Sequence, residues 1–217
     1  MHCVYLFDFD FTLADATDGI VGSFNDALTR LGYPAQDRET IRRTVGMTLP
    51  DAFALVTGER DPEKGHAFMR CFMEKADEIM TVNTRLLPGC VELLSFLKER
   101  GFATGIVSTK PRFRILDLLR RVRIESLIDV VVGYEDVQRH KPHPDALHRA
   151  MELLEASREE ALYVGDTVID AEAAKNAGVA FAAVTTGTTR REDFDPYPGI
   201  AVYSGLPELR RALEARL

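Results

Sequence analysis

The part of this sequence that most limits its fold is the stretch from Pro88 to the C-terminus, where short apolar runs alternate with helical patterns across short turns. The runs at 103–107, 130–132, 161–164, 179–184 and 200–203 are apolar along their length rather than alternating apolar with polar. Strands of that kind bury both faces, as they do in a parallel sheet covered by helices. Between them, helical spacing is predicted over 91–98 (closed by Gly101), 112–121, 144–154, 170–177 and from Pro207 onward. An earlier β-branched and aromatic run, Val4-Tyr5-Leu6-Phe7, ends at Asp8 and supplies a further buried strand. Alternation of this type specifies an α/β fold: a Rossmann-like parallel sheet with helices on both faces.

The block between Asp15 and Met80 reads differently. It contains no strand pattern, and helices are predicted over 17–31, 40–45, 49–56 and 62–80. The 217 residues therefore divide into an α/β core (1–15 and 82–217) and an inserted all-helical cap (16–81). Joined to the core by two stretches of chain near Asp15 and Leu86, the cap is expected to open and close as a lid. The stripe Phe68, Met69, Phe72 and Met73 is expected to pack the cap's own interior, and Asp15 and Asp18 to cap or solvate the start of its first helix. The stretch 188–199 reads as a loop without chemistry.

Charge excludes several classes of function. With 27 Lys+Arg against 34 Asp+Glu the chain carries a net charge of −7, which argues against a general binder of nucleic acid or of anionic membranes. No apolar stretch approaches the roughly 18 residues that span a bilayer. The N-terminus lacks the basic region and cleavage pattern of a signal peptide. Cys3, Cys71 and Cys90 are scattered and form neither a disulfide framework nor a zinc pattern. The expectation is a cytoplasmic protein, monomeric or homodimeric.

In open parallel sheets, ligands bind at the carboxyl ends of the strands. The side chains that follow the predicted strands there are Asp8, Asp10 and Thr12; Ser108, Thr109 and Lys110; Lys141, after a short loop; and Asp166, then Asp170. Four carboxylates in one cleft repel one another unless a cation joins them, and hard oxygen donors with one lysine suit Mg²⁺. Carboxylates, Mg²⁺, a hydroxyl and a lysine fit phosphoryl transfer, with an aspartate as nucleophile and a second acid moving protons.

Four segments carry a resemblance: Asp8-Phe9-Asp10-Phe11-Thr12-Leu13-Ala14-Asp15, Ile106-Val107-Ser108-Thr109-Lys110, Lys141-Pro142-His143-Pro144, and Gly165-Asp166-Thr167-Val168-Ile169-Asp170. In this order they resemble the motifs of the haloacid-dehalogenase-like (HAD) hydrolase superfamily, and the continuation past Asp15 resembles its phosphoglycolate phosphatase group. The resemblance implies roles. Asp8 is the nucleophile and a metal ligand. Asp10 is the general acid/base, its carbonyl also reaching the metal. Ser108, with Thr109, holds the phosphoryl group, and Lys141 neutralises it and holds Asp8. Asp166 ligates Mg²⁺, and Asp170 does so directly or through water. It implies a Mg²⁺-dependent phosphatase acting on a small phosphorylated metabolite, possible substrates including phosphoglycolate.

Two departures stand out. Phe11 replaces the family's usual Gly, which puts the local backbone shape in question, and Thr109 stands where Asn is common. The alternatives are a phosphosugar mutase, an inorganic pyrophosphatase and, outside enzymes, a phospho-acceptor signalling module. A dehalogenase is disfavoured because Asp10 is present. Lys110 reads with equal weight as closing a helix start or as part of the phosphate rim, and His143 as a solvated turn residue. Arg42, Arg43, Arg120, Arg121, Arg190 and Arg191 read as exposed surface.

Overall fold

The computed structural model describes residues 2–197 and 199–215, so Met1 and Pro198, which entered the readings of the N-terminus and of the 188–199 loop, lie outside the described residues. In chain order the elements are β1 (Val4–Phe7), β2 (Ala14–Asp15), α1 (Thr17–Arg30), α2 (Arg38–Arg42), α3 (Leu49–Thr57), α4 (Pro62–Ile79) and β3 (Arg85–Leu86). There follow α5 (Cys90–Glu99), β4 (Ala103–Val107), α6 (Arg112–Arg121), β5 (Val130–Val132), α7 (Asp145–Leu153), β6 (Ala161–Gly165), α8 (Val168–Ala177), β7 (Ala180–Val184), β8 (Ala201–Tyr203) and α9 (Leu206–Glu214).

Six strands form one parallel sheet in the order β5-β4-β1-β6-β7-β8, and β2 and β3 form a separate two-stranded sheet. After β1 the chain builds outward through β4 to β5, then crosses back to β6 on the other side of β1. The strand order thus reverses at β1, and the crevice at the carboxyl ends there is where such sheets bind ligands. Register aligns Phe7 with both Ile106 and Val164, so Asp8, Ser108 and Asp166 leave three adjacent strands at one level.

Both faces of the sheet are covered. Tyr5 and Phe7 pack with Leu93, Leu97, Ile115, Leu118 and Leu209 from α5, α6 and α9. Val4 and Leu6, pointing the other way as strand geometry requires, pack with Leu147 and Met151 of α7 and with Ala171 and Ala174 of α8. This two-sided burial is why the strands read as continuous apolar runs.

The chain divides into two compact units, 1–15 with 86–217, and 16–85. Among the described residues of the second, every regular element but the terminal strand residue Arg85 is helical, and its interior is aromatic. Phe68 lies 4.7 Å from Phe24 and 4.8 Å from Phe53 between ring centroids, and Phe72 is buried beside them, while Met69 and Met73 are only half-buried. Asp37, Thr48 and Asp61 cap the next three helices through side-chain bonds to backbone N–H groups, which moves the start of α2 ahead of residue 40. The first helix lacks such a cap: its N-cap is Ala16, and Asp18 sits in the first turn, exposed and paired with Arg38 at 2.6 Å. Within the predicted loop, Arg191–Phe194 forms a 3₁₀ turn that buries Phe194. No described helix is long and apolar enough to cross a membrane.

Candidate active site

Asp8 follows β1 directly, and its backbone N–H donates to the Val164 carbonyl of β6 at 2.8 Å, so the strand ladder itself fixes the residue. Ser108 is fixed likewise after β4, its N–H donating to the Val132 carbonyl at 3.0 Å. Asp166 follows β6, and Asp170 stands in the first turn of α8. That helix begins at Val168, two residues before the expected start, because Thr167 and Asp170 form a capping box. The Thr167 hydroxyl accepts the Asp170 N–H, and Asp170 Oδ2 accepts from the Thr167 N–H and hydroxyl at 3.1 and 2.5 Å.

Lys141 joins these groups. Its Nζ donates to Asp8 Oδ1 at 2.8 Å, to Asp170 Oδ1 at 2.6 Å and to the Tyr163 hydroxyl at 3.1 Å. An ammonium has three N–H donors, and all three are used. Asp170 is equally saturated: Oδ1 accepts from Lys141 and from Tyr163 (2.9 Å), and Oδ2 from Thr167 twice. A carboxylate has about four acceptor positions, so Asp170 is committed to holding Lys141 and the start of α8.

Asp166 contrasts with it. Its Oδ1 accepts from the Thr12 hydroxyl at 3.3 Å, while Oδ2 is buried with no hydrogen-bond partner among the described residues. One oxygen from each of Asp8, Asp166 and Asp170 lies within 4.8 Å of the others. With all three carboxylates ionised, three negative charges against one ammonium leave two that either protons or a divalent cation can balance. Burial pushes the Asp8 carboxyl up to about 6, with Lys141 opposing and Asp170 adding to the rise. Burial, then the charges of Asp170 and Asp8, hold Asp166 well above the usual carboxylate range. Burial works against the Lys141 ammonium, but Asp170 and Asp8 outweigh it and keep its pKa above that of a free lysine. Hard oxygen donors, an orphaned buried carboxylate oxygen and this charge deficit together fit a bound Mg²⁺.

Two glycines permit this crowding. A Cβ on Gly165 would lie 2.6 Å from Asp170 Cβ, and one on Gly187 would lie 1.9 Å from Asp166 Oδ2. Phe11 settles the question that its sequence raised. It adopts the left-handed conformation, φ 61°, that Gly takes freely, so the turn keeps a glycine-like shape with a buried aromatic in place. Its N–H donates to the Ala14 carbonyl at 2.7 Å, and Thr186 donates its hydroxyl to the Phe11 carbonyl.

Of the expected site residues, the structure brings Asp8, Lys141, Asp166 and Asp170 into one cluster. Asp10 stands beside them, paired with Lys110. Ser108 is buried and its hydroxyl accepts the Lys110 N–H at 3.3 Å, while Thr109 is half-buried. His143 is exposed, as a turn residue should be. Sequence reasoning missed Tyr163, Thr167 and Gly187. The Tyr lies inside an apolar strand and reads as core, whereas Thr-x-x-Asp before a helix is a legible capping signal.

A sequence profile of haloacid dehalogenase-like hydrolases matches residues 5–184. The pyrophosphatase PpaX of Bacillus cereus is 34% identical over 193 residues, spanning 88% of this chain and 87% of that protein. A Bacteroides fragilis structure provisionally described as a haloacid dehalogenase-like hydrolase is 42% identical, with a TM-score of 0.93 over 96% of this chain and 100% of the other. A Lactobacillus delbrueckii subsp. bulgaricus structure provisionally described as a phosphoglycolate phosphatase shares the fold at 20% identity, with a TM-score of 0.87 over 98% of both chains. With the family profile spanning most of the chain and the four motif segments gathered around one crevice, this protein belongs to the haloacid dehalogenase-like hydrolases.

Proposed function

We propose that the protein is a Mg²⁺-dependent phosphomonoester hydrolase acting in the cytoplasm on a small phosphorylated metabolite, through an aspartyl-phosphate on Asp8. The observation that carries this reading is the buried Asp8 carboxylate, held by Lys141 at 2.8 Å beside an Asp166 oxygen that has no partner among the described residues. Asp8, Asp166 and the Asp10 carbonyl would hold the metal, with Asp170 reaching it through water because its acceptor positions are filled. When bound, Mg²⁺ supplies charge neutralisation for the transferring phosphoryl group.

Asp8 attacks phosphorus; its bond to phosphorus forms as the ester P–O bond breaks. Asp10 gives a proton to the departing alkoxide. In the second step Asp10 takes a proton from water, which bonds to phosphorus, breaks the Asp8–phosphorus bond and releases phosphate. Ser108 donates to a phosphoryl oxygen. Lys141 orients Asp8 and contributes its charge rather than a free N–H. General acid–base catalysis of this kind by one positioned carboxylate is typically worth about 10²–10⁴-fold in rate.

Hydrolysis of inorganic pyrophosphate is a second reading, favoured by the 34% identity to the Bacillus cereus pyrophosphatase PpaX. The discriminating experiment is a screen of small phosphomonoesters, 2-phosphoglycolate among them, and of pyrophosphate, with Mg²⁺ and with chelator. Phosphate release from esters that requires Mg²⁺ supports the proposal. Release from pyrophosphate alone supports the second reading, and full activity in excess chelator contradicts the metal assignment.

A further inference from the structure

We infer that Lys110 is a positioning residue for the proton-transferring carboxylate: it grips both oxygens of Asp10 and so sets where the proton is delivered and collected. The inference rests on the proposed role of Asp10 and adds a residue that the proposed mechanism does not use.

Lys110 Nζ lies 3.1 Å from Asp10 Oδ1 and 3.0 Å from Oδ2. The two residues are 100 apart in the chain, and their side chains are only 7% and 13% exposed. Rotation of an aspartate carboxylate about its last torsion is broad when free. Two contacts to one ammonium remove that freedom and leave a single orientation.

The lysine is itself held in place. Its N–H donates to Ser108 Oγ at 3.3 Å, its carbonyl accepts the Tyr134 N–H at 3.1 Å, and its ammonium lies 5.6 Å from the centroid of the Phe9 ring. One short turn after β4 therefore carries both the hydroxyl assigned to the phosphoryl group and the grip on the acid/base. The distance from phosphorus to the proton-transferring group is set by that turn together with the turn after β1.

Stability does not account for the pair. Removing two charges from water costs about as much as their attraction returns, and buried pairs of this kind are often replaceable by apolar side chains without loss. The lysine also differs in kind from Lys141. Lys141 uses all three N–H donors on fixed partners, whereas Lys110 uses two, both on one carboxylate.

The test compares Lys110→Met, Asp10→Asn and the double variant on p-nitrophenyl phosphate and phenyl phosphate with Mg²⁺. Nitrophenolate leaves without help and phenolate needs more assistance from an acid. The expected result for Lys110→Met is a kcat on phenyl phosphate lowered about 10–100-fold, the scale of a misplaced reacting group. KM should stay within a few-fold. With p-nitrophenyl phosphate the same variant should give a burst followed by slow turnover, the pattern also expected of Asp10→Asn, whose second step lacks its base. The double variant should be no slower than Asp10→Asn alone, because Lys110 acts only through Asp10.

A Lys110→Met variant that raises KM with kcat intact overturns the inference, since Lys110 would then bind substrate. Losses that multiply in the double variant overturn it as well. Asp10→Asn turning over both esters like the wild type contradicts the role of Asp10 and takes the inference with it, and a wild type inactive on both does the same. Should Lys110→Met fail to fold, Lys110→Gln, one atom shorter and uncharged, removes the ammonium while keeping a polar tip and reads the same difference between esters.

Discussion

Replacing Lys141 by methionine removes the single cation from a cluster of three buried carboxylates while keeping most of the side-chain volume. In the native protein its ammonium touches Asp8 and Asp170 at 2.8 and 2.6 Å, with the side chains of all three residues at most 3% exposed. Breaking a buried pair by removing one partner typically costs about 3–5 kcal/mol, because the charge left behind has no water to turn to. For a chain of this length each kcal/mol moves Tm by about 2–4 °C, so Lys141→Met in chelator at pH 7.5 is expected to melt about 6–20 °C below wild type. At pH 5 the gap should shrink, because protons then replace the missing ammonium on carboxyls whose pKa values burial already raises. Thermal unfolding followed by circular dichroism at both pH values is the assay. A shift below about 2 °C at pH 7.5 would refute the charge reasoning, and an equal loss at both pH values would assign the effect to packing instead.

Two further outcomes are expected. Asp8 titrates near 6 in the fold against about 4 unfolded, so between those values the folded chain binds the extra proton. Stability from this group is complete below the unfolded value and is lost as pH rises through about 6. Under the proposed metal assignment Mg²⁺ would take the proton's place, so the rise in Tm on adding Mg²⁺ should grow from pH 5 to pH 7.5, and a constant or shrinking rise contradicts the assignment. Gly187→Ala puts a methyl group 1.9 Å from Asp166 Oδ2, and overpacking of that kind costs about 1–3 kcal/mol. Titrating activity with Mg²⁺ should then show weaker half-saturation, and an unchanged midpoint would show that Asp166 does not hold the metal.

Much of this site was legible because its residues break a pattern. Asp8 and Asp166 end apolar strands, and a charge at the end of a strand buried on both faces has no packing reason to be there. Lys141 was legible as a rim residue although a loop separates it from β5, and its hold on Asp8 came only from the resemblance. Tyr163 was hidden for the opposite reason. It lies in the apolar run of β6 and packs as core, and only the fold shows its hydroxyl meeting Lys141, 22 residues away, and the Val107 carbonyl, 56 away. The pairing of Lys110 with Asp10 is equally non-local: each residue has local readings that satisfy it, and strand order alone brings the two together. Errors at helix starts had a local cause. The α2 and α8 boundaries follow from Asp37 and Thr167 acting as caps, whereas the first helix begins at Thr17 without a side-chain cap, its N-cap being Ala16.

The central claim is that phosphorus passes through Asp8. Wild-type enzyme mixed with p-nitrophenyl phosphate and Mg²⁺ should be quenched in acid within milliseconds, digested, and its peptides sequenced by mass spectrometry. The expected result is a phosphoryl group on Asp8, absent from Asp8→Asn and accumulating in Asp10→Asn, where the second step lacks its base. Phosphate release from an enzyme that never carries the label, or a label on any other residue, would contradict the account.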